Sequence, residues 1–264
     1  IWFDGRCPPD VSEKAMTLSR DSFADKDHQD APEAALAALD RHYAAEMGCR
    51  PEDLRSGKTL VLASEHRELR FAKGFPLPVF GMDTGEGRVI SVAPHLAEHA
   101  RRVLLRAPSC SLSDEVCEVL ENALAPFTAE TEWFRGERLY LIPKMFRDRE
   151  QGEVREASAL DDKAAARRRL WGGPVFAQFV DGRAVSRATV KPLSDVVWDL
   201  SIETEPEYRG RGYALSAASA AVKEIFRAGK IAMWGTDRTN EASLRTARAL
   251  GFQHYAWEVG CFVR

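Results

Sequence analysis

Residues 196–226 read VVWDLSIETEPEYRGRGYALSAASAAVKEIF, and the fold of the chain turns on this stretch. At its start Val197, Asp199, Ser201 and Glu203 point one way and Trp198, Leu200 and Ile202 the other. A period of two with β-branched and aromatic content predicts a strand with one apolar face. Pro206 lacks an amide donor and ends it. Further on, Leu215, Ala218, Val222, Ile225 and Phe226 fall at helical spacing, and Gly229 stops the helix. Between strand and helix stand Arg209, Gly210, Arg211 and Gly212. Glycine lets the backbone turn its amides toward one point, and a helix N-terminus adds unpaired N–H groups and a positive dipole end. The stretch predicts strand, anion loop and helix in succession, suited to a phosphate or pyrophosphate.

Three phosphate motifs compete for this loop. A dinucleotide fingerprint needs a third glycine where Leu215 stands, and a nucleotide P-loop needs Gly-Lys followed by Ser or Thr. The pattern that fits is Arg/Gln-x-x-Gly-x-Gly/Ala, filled by Arg209, Gly212 and Ala214. It is flanked by Pro206-Glu-Tyr-Arg-Gly210, by a strand-like Ile231 to Trp234, by Asn240-Glu-Ala-Ser-Leu244 and by Leu250-Gly-Phe252. In the order and spacing of these parts the chain resembles the C-terminal half of a GNAT-superfamily N-acetyltransferase. The resemblance covers about residues 150–264. It implies an α/β (α+β) fold with a mixed central sheet and flanking helices, acetyl-CoA as cofactor and no metal.

The remainder of the 264 residues reads as ordinary globular protein, long enough for one large or two ordinary domains. A net charge of −3 gives no global basic field for nucleic acid. Five scattered cysteines without a Cys-x-x-Cys favour a reducing cytoplasm over a disulfide scaffold or zinc site. No run approaches the roughly 18 apolar residues of a membrane span, and no signal peptide is recognisable. Because the first residue is Ile1, a short N-terminal piece is expected to precede it. Helices are predicted over 10–23, 32–47, 95–105 and 113–124, with Ser113 capping the last. Strands are predicted over 59–63, 79–82, 89–92 and 139–142. This N-terminal α/β module, residues 1–147, carries no chemistry-bearing motif; a degenerate GNAT-like copy is one reading of it. Residues 148–264 form the second expected domain, in the order β-α-β-β-β-α-β-α-β from residue 153.

Each candidate residue has a plain structural reading beside the functional one. Arg209, Gly210, Arg211, Gly212, Tyr213 and Ala214 are assigned to the cofactor pyrophosphate, against an ordinary helix start with solvated arginines. By resemblance, Asn240 contacts the pantetheine arm, with Ser243 as companion; the alternative for Asn240 is a helix cap. The backbone around Ile202 to Thr204 holds the thioester oxygen in the resembled family. Acyl transfer to an amine needs a base, a stabiliser for developing oxyanion charge, and relief of the leaving thiolate. Glu203, nearest the loop, is the first choice for base and Asp199 the second; both share a polar strand face with Ser201, and such a stripe must meet water, a partner or substrate. Many relatives place a tyrosine three residues before the Leu of Leu-Gly-Phe, but Ala247 stands there. Tyr255 or Tyr213 is then the candidate acid, unless the thiolate leaves unassisted. Arg167, Arg168 and Arg169 read as a solvated face, and the six histidines show no metal spacing.

The expectation is a cytoplasmic acyl-CoA-dependent N-acyltransferase acting on a small-molecule or peptide amine, with no nucleic-acid or membrane partner. Its N-terminal module would wall the acceptor side. Two other classes stay open: a catalytically silent acyl-CoA-binding regulator, and a partner-binding protein whose loop holds no cofactor. The acceptor and the oligomeric state are not legible.

Overall fold

The computed structural model describes residues 31–68, 76–106, 111–128 and 131–263; the helix expected over 10–23 lies outside them. Helix α1 (Pro32–Met47) begins on a proline and ends at Gly48, whose left-handed φ of 75° lets its N–H return to the Ala44 carbonyl. Strands β1 (Thr59–Ala63), β2 (Val79–Asp83) and β3 (Arg88–Val92) follow, then helices α2 (Ala97–Leu104) and α3 (Asp114–Leu124). Ser113 caps α3 as its position predicts, accepting from the Val116 amide at 3.3 Å. Strand β4 spans Thr131–Leu141, well beyond the apolar 139–142 segment, because its polar first half is paired on β10 (Gln253–Val263). Between them come β5 (Glu153–Glu156), α4 (Asp162–Trp171), β6 (Val175–Val180), β7 (Arg183–Pro192), β8 (Val197–Thr204), α5 (Tyr213–Arg227), β9 (Ile231–Asp237) and α6 (Glu241–Leu250). From residue 153 onward this is the order read from the sequence.

All ten strands join one mixed sheet, ordered β1-β3-β2-β10-β4-β9-β8-β7-β6-β5. Chain order and sheet order part company at its centre. The C-terminal β10 lies between β2 and β4, and β4 lies between β10 and β9. The sheet thus runs unbroken across the boundary expected at 147/148.

Successive residues of a strand face opposite sides, and the cores divide accordingly. Tyr140, Val197, Met233 and Tyr255 pack under α1, while their neighbours Leu139, Leu141, Leu200 and Trp234 pack under α5 and α6. Helices α2 and α3 cover Val79, Ile90 and Val259. Helix α4 lies over β6 and the start of β7 through Ala164, Val175, Ala177 and Ala184. Among the described residues no helix is long and apolar enough to cross a membrane, and Cys49, Cys117 and Cys261 are free thiols.

Candidate active site

The parallel pairing of β8 with β9 covers only Val197↔Ile231, Trp198↔Ala232 and Asp199↔Met233. Beyond Asp199 both strands continue, β8 to Thr204 and β9 to Asp237, but the ladder between them stops. On its other edge β8 stays bonded to β7 as far as Ser186↔Thr204. Backbone groups of residues 200–204 on the β9 side therefore face an opening. Helices α5 and α6 both start where these two strands end, so their N-termini share one edge of the sheet, the carboxyl edge at which ligands bind in open α/β sheets.

The predicted anion loop sits at the head of this opening. A single turn over Pro206–Tyr208 leads to Arg209, whose Nε donates to the Thr204 carbonyl at 3.3 Å. Gly210 and Gly212 adopt φ of 74° and 81°, a region that side chains with a Cβ avoid. A Cβ at either would meet no atom within 4 Å, so conformation and not crowding calls for glycine. Gly212 is the N-cap of α5 and brings no capping side chain; the first intrahelical bond is Ser216 N–H to the Gly212 carbonyl. Amides of the first turn are left without helical partners and point out of the helix end. Arg209, Gly210, Arg211 and Gly212 are exposed, and Tyr213 and Ala214 half-buried. Arg211 and Arg183 both lie against the Tyr208 ring, 5.5 and 5.7 Å from its centre. This cradle fits a pyrophosphate.

Asn240 occupies the start of α6 as a cap, its Oδ1 accepting from the Ser243 amide at 3.1 Å. Ser243 is buried, and its hydroxyl accepts from Trp234 Nε1 at 2.9 Å. Both side chains are thus engaged in structure at the second helix start on the same edge.

The two candidate carboxylates of β8 have different surroundings. Glu203 is 40% exposed and accepts from Arg167 of α4. Asp199 is buried, with Lys191 Nζ at 3.1 Å and Arg138 NH1 at 3.6 Å from its Oδ2. Burial alone would raise the Asp199 carboxyl, but Lys191 and then Arg138 outweigh it and hold it below the usual range. A carboxylate so stabilised is a weak proton acceptor, and Asp199 loses its place as second-choice base to this geometry. Tyr255 is buried under α1, stacked 5.3 Å from Tyr43, and donates its proton to Asp40 at 2.9 Å. Burial pushes its hydroxyl further up. The structure therefore keeps Tyr255 in a core contact, apart from the opening, and does not offer its proton to a leaving group.

Around Asp199 lies a group of buried charges that has no motif. Arg138 Nε and NH2 donate to Glu258 Oε2 at 3.1 and 2.7 Å, and Lys191 lies 4.8 Å from the Trp171 ring centre. Two strand glycines make the room. A Cβ on Gly136 would stand 2.5 Å from Glu258 Oε1, and one on Gly235 would stand 2.9 Å from Arg138 NH1. Charged residues beside glycines within strands were the available signal, readable only once β4, β9 and β10 are known to be neighbours. A second bridge fixes α4: the buried Arg187 forks onto Asp161, the N-cap of α4, at 2.6 and 2.8 Å, and reaches Glu205 at 2.8 Å. Arg187 lowers the Asp161 carboxyl below its ordinary value. With Lys163 and Arg183 these groups line a cleft of about 390 Å³ beside the end of β8.

Comparison with known proteins adds the following. The family model described as GNAT acetyltransferase matches residues 173–257. A solved GNAT-family protein from Novosphingobium aromaticivorans is 15% identical, with 66% of this chain and 83% of that one covered at a TM-score of 0.42. A Drosophila protein is 13% identical, with 88% of each chain covered at 0.46. yncA of Salmonella typhimurium, solved with its cofactor acetyl-CoA, is 21% identical over 36% of this chain and 66% of its own, at 0.31. No curated protein matches. The stretch that matches the GNAT acetyltransferase family model, residues 173–257, holds the opening, the glycine loop and both helix starts.

Proposed function

We propose that this protein transfers an acetyl group from acetyl-CoA to a primary amine. The observation that carries the reading is the opening above Asp199, headed by a glycine loop whose helix amides are unpaired. In this reading the amides following Gly212, with Arg209, Gly210, Arg211, Tyr213 and Ala214, hold the pyrophosphate. Backbone groups of Ile202 and Thr204 on the β9 side meet the acyl arm, and Asn240 and Ser243 flank it from α6. When bound, acetyl-CoA supplies an acyl thioester open to attack by an amine. Glu203, the partly exposed carboxylate of the same strand, takes the proton that the acceptor nitrogen loses as its bond to the acetyl carbon forms; the acyl C–S bond breaks and CoA leaves as the thiolate, to be protonated from solvent. To take that proton Glu203 must share or exchange its bond to Arg167. We read residues 148–264 as the acetyl-CoA-binding part and residues 1–147 as the acceptor wall, with α1 packed on the sheet face that also carries Glu203.

A second reading has its own support. Ala247 is fully buried among α5 and α6 and brings no acid, and Glu203 is tied to Arg167. A protein that binds acyl-CoA without turnover would have these features. Thiol release from acetyl-CoA with a panel of amines separates the two. The transferase reading expects turnover that falls about 100-fold or more in Glu203→Gln, with acetyl-CoA binding retained. Binding without turnover of any amine favours the regulator, and undiminished turnover in the variant removes Glu203 as base.

A further inference from the structure

Strand β1 closes one end of the ten-stranded sheet and β5 the other, and the two edges differ. β5 reads Glu-Val-Arg-Glu, charged at three of four positions, the usual protection of an open edge. β1 reads Thr-Leu-Val-Leu-Ala and carries no charge. Its ladder with β3 is parallel, and two bonds at its ends fix which residues face β3. Arg88 N–H donates to the Lys58 carbonyl at 2.9 Å, and Ser64 N–H to the Val92 carbonyl at 2.8 Å. The even-numbered residues therefore face β3, and Thr59, Val61 and Ala63 turn both N–H and C=O outward. Among the described residues one side chain reaches these outward groups, Arg101 of α2, whose NH2 donates to the Val61 carbonyl at 3.4 Å. That carbonyl keeps its second lone pair.

An edge of this kind selects its partner by register. Set antiparallel about a two-fold axis at Val61, a second β1 puts Val61 opposite Val61 and Thr59 opposite Ala63. All of these are outward residues, so each pair exchanges both N–H···O bonds and none falls out of step. The edge is complementary to itself, as an isologous dimer requires. The same register brings the exposed Lys58 of each copy beside the exposed Glu65 of the other.

A five-residue strand spans only about 17 Å, and a stable interface takes roughly 800 Å² from each partner, so the flanking surface must take part. Helix α2 supplies it. Arg101 points to the β1 edge, and Leu105, whose N–H donates to the Arg101 carbonyl at 3.0 Å, lies one turn on along the same side. Leu105 is 86% exposed, more than any other large apolar side chain among the described residues.

We infer that this chain forms a two-fold dimer in which β1 pairs antiparallel with β1 of a second copy, with Leu105 of each α2 closing the seam. The sheet then continues from one molecule into the other. The seam lies away from the opening between β8 and β9, and the inference does not depend on the transferase reading.

Sedimentation equilibrium of the full chain, from sub-micromolar to high micromolar concentration, tests it. The wild type should pass from monomer to dimer. Ala63→Pro removes an outward N–H and spares the ladder to β3, since Leu62 before it is already extended. Leu105→Glu puts a charge on the seam at a side chain that is exposed in the single chain. Each should weaken the dimer at least about tenfold, because symmetry makes every lost contact count twice. The melting temperature of the diluted monomer should stay at the wild-type value. Amide exchange reads the register: Thr59, Val61 and Ala63 should slow in the dimer, and more than Leu60 and Leu62. A wild type that stays monomeric overturns the inference. So does a dimer left intact by both variants, or one in which the outward amides are not slowed. If Ala63→Pro lowers the monomer's melting temperature, Leu105→Glu and the amides decide.

Discussion

Strand β8 is two half-strands with opposite characters. Val197 to Asp199 is bonded on both edges, roofed by α1, and surrounded by the buried charges of Lys191, Arg138 and Glu258. Leu200 to Thr204 is bonded only to β7, and its polar face, Ser201 and Glu203, is partly open. The change comes at one residue, where β9 stops pairing. In the proposed reading, holding the fold and meeting a ligand fall to adjacent halves of the same strand. Changes to the lower half should unfold the protein, and changes to the upper half should spare the fold and remove chemistry.

The largest effect comes from removing the chain before residue 146. The lower half of β8 depends on that part, since β4 pairs with β9 on one edge and β10 on the other and supplies Arg138, and α1 supplies the roof. The fragment 146–264 should lack a cooperative thermal transition. A fragment that melts cooperatively and still binds acetyl-CoA would show the two halves to be separable. Next is Arg138→Leu, which leaves Glu258 buried without its partner and should cost about 3–5 kcal/mol in urea unfolding. The double variant with Glu258→Leu should recover part of that loss. An identical loss in both would mean the ion pair is not its source.

A smaller effect is set by pH. His42 of α1 is shifted down to about 4, by burial and then by Arg138. A histidine whose folded pKa is depressed binds its proton first in the unfolded chain. Its contribution is intact above about 6.5 and is lost as pH falls from there toward 4. Between pH 7 and 5 the wild type should lose on the order of 1–2 kcal/mol that His42→Gln does not lose. Equal losses in both proteins would remove His42 as the source. The smallest effect on stability is expected at the upper half: Glu203→Gln should stay within about 0.5 kcal/mol of wild type.

The sequence was informative where a local rule decides the backbone. Alternation over 197–203, Pro206, the two glycines and the helix after them are all local, and β8, the loop and α5 follow them. Gly48 and Ser113 ended and began helices for the same reason. What was hidden depends on partners distant in the chain. Arg138 and Glu258 are 120 residues apart, and nothing near either one announces the pairing. Tyr255 looked available as an acid until β10 carried it under α1, against Asp40. Strand β4 looked short because only its second half is apolar, although its neighbours pair with all of it.

The most direct test is the thermal transition of the whole chain with and without acetyl-CoA. A ligand bound only by the folded state at about 100 times its dissociation constant stabilises by roughly 2.7 kcal/mol. Gly212→Ala and Gly212→Glu carry the same strain at φ 81° with open space around the new Cβ, and only the glutamate adds negative charge at the loop. We predict a clear rise for the wild type, a reduced rise for Gly212→Ala and none for Gly212→Glu. An unchanged melting temperature in the wild type, or an equal rise in Gly212→Glu, would contradict the assignment of this loop to acetyl-CoA.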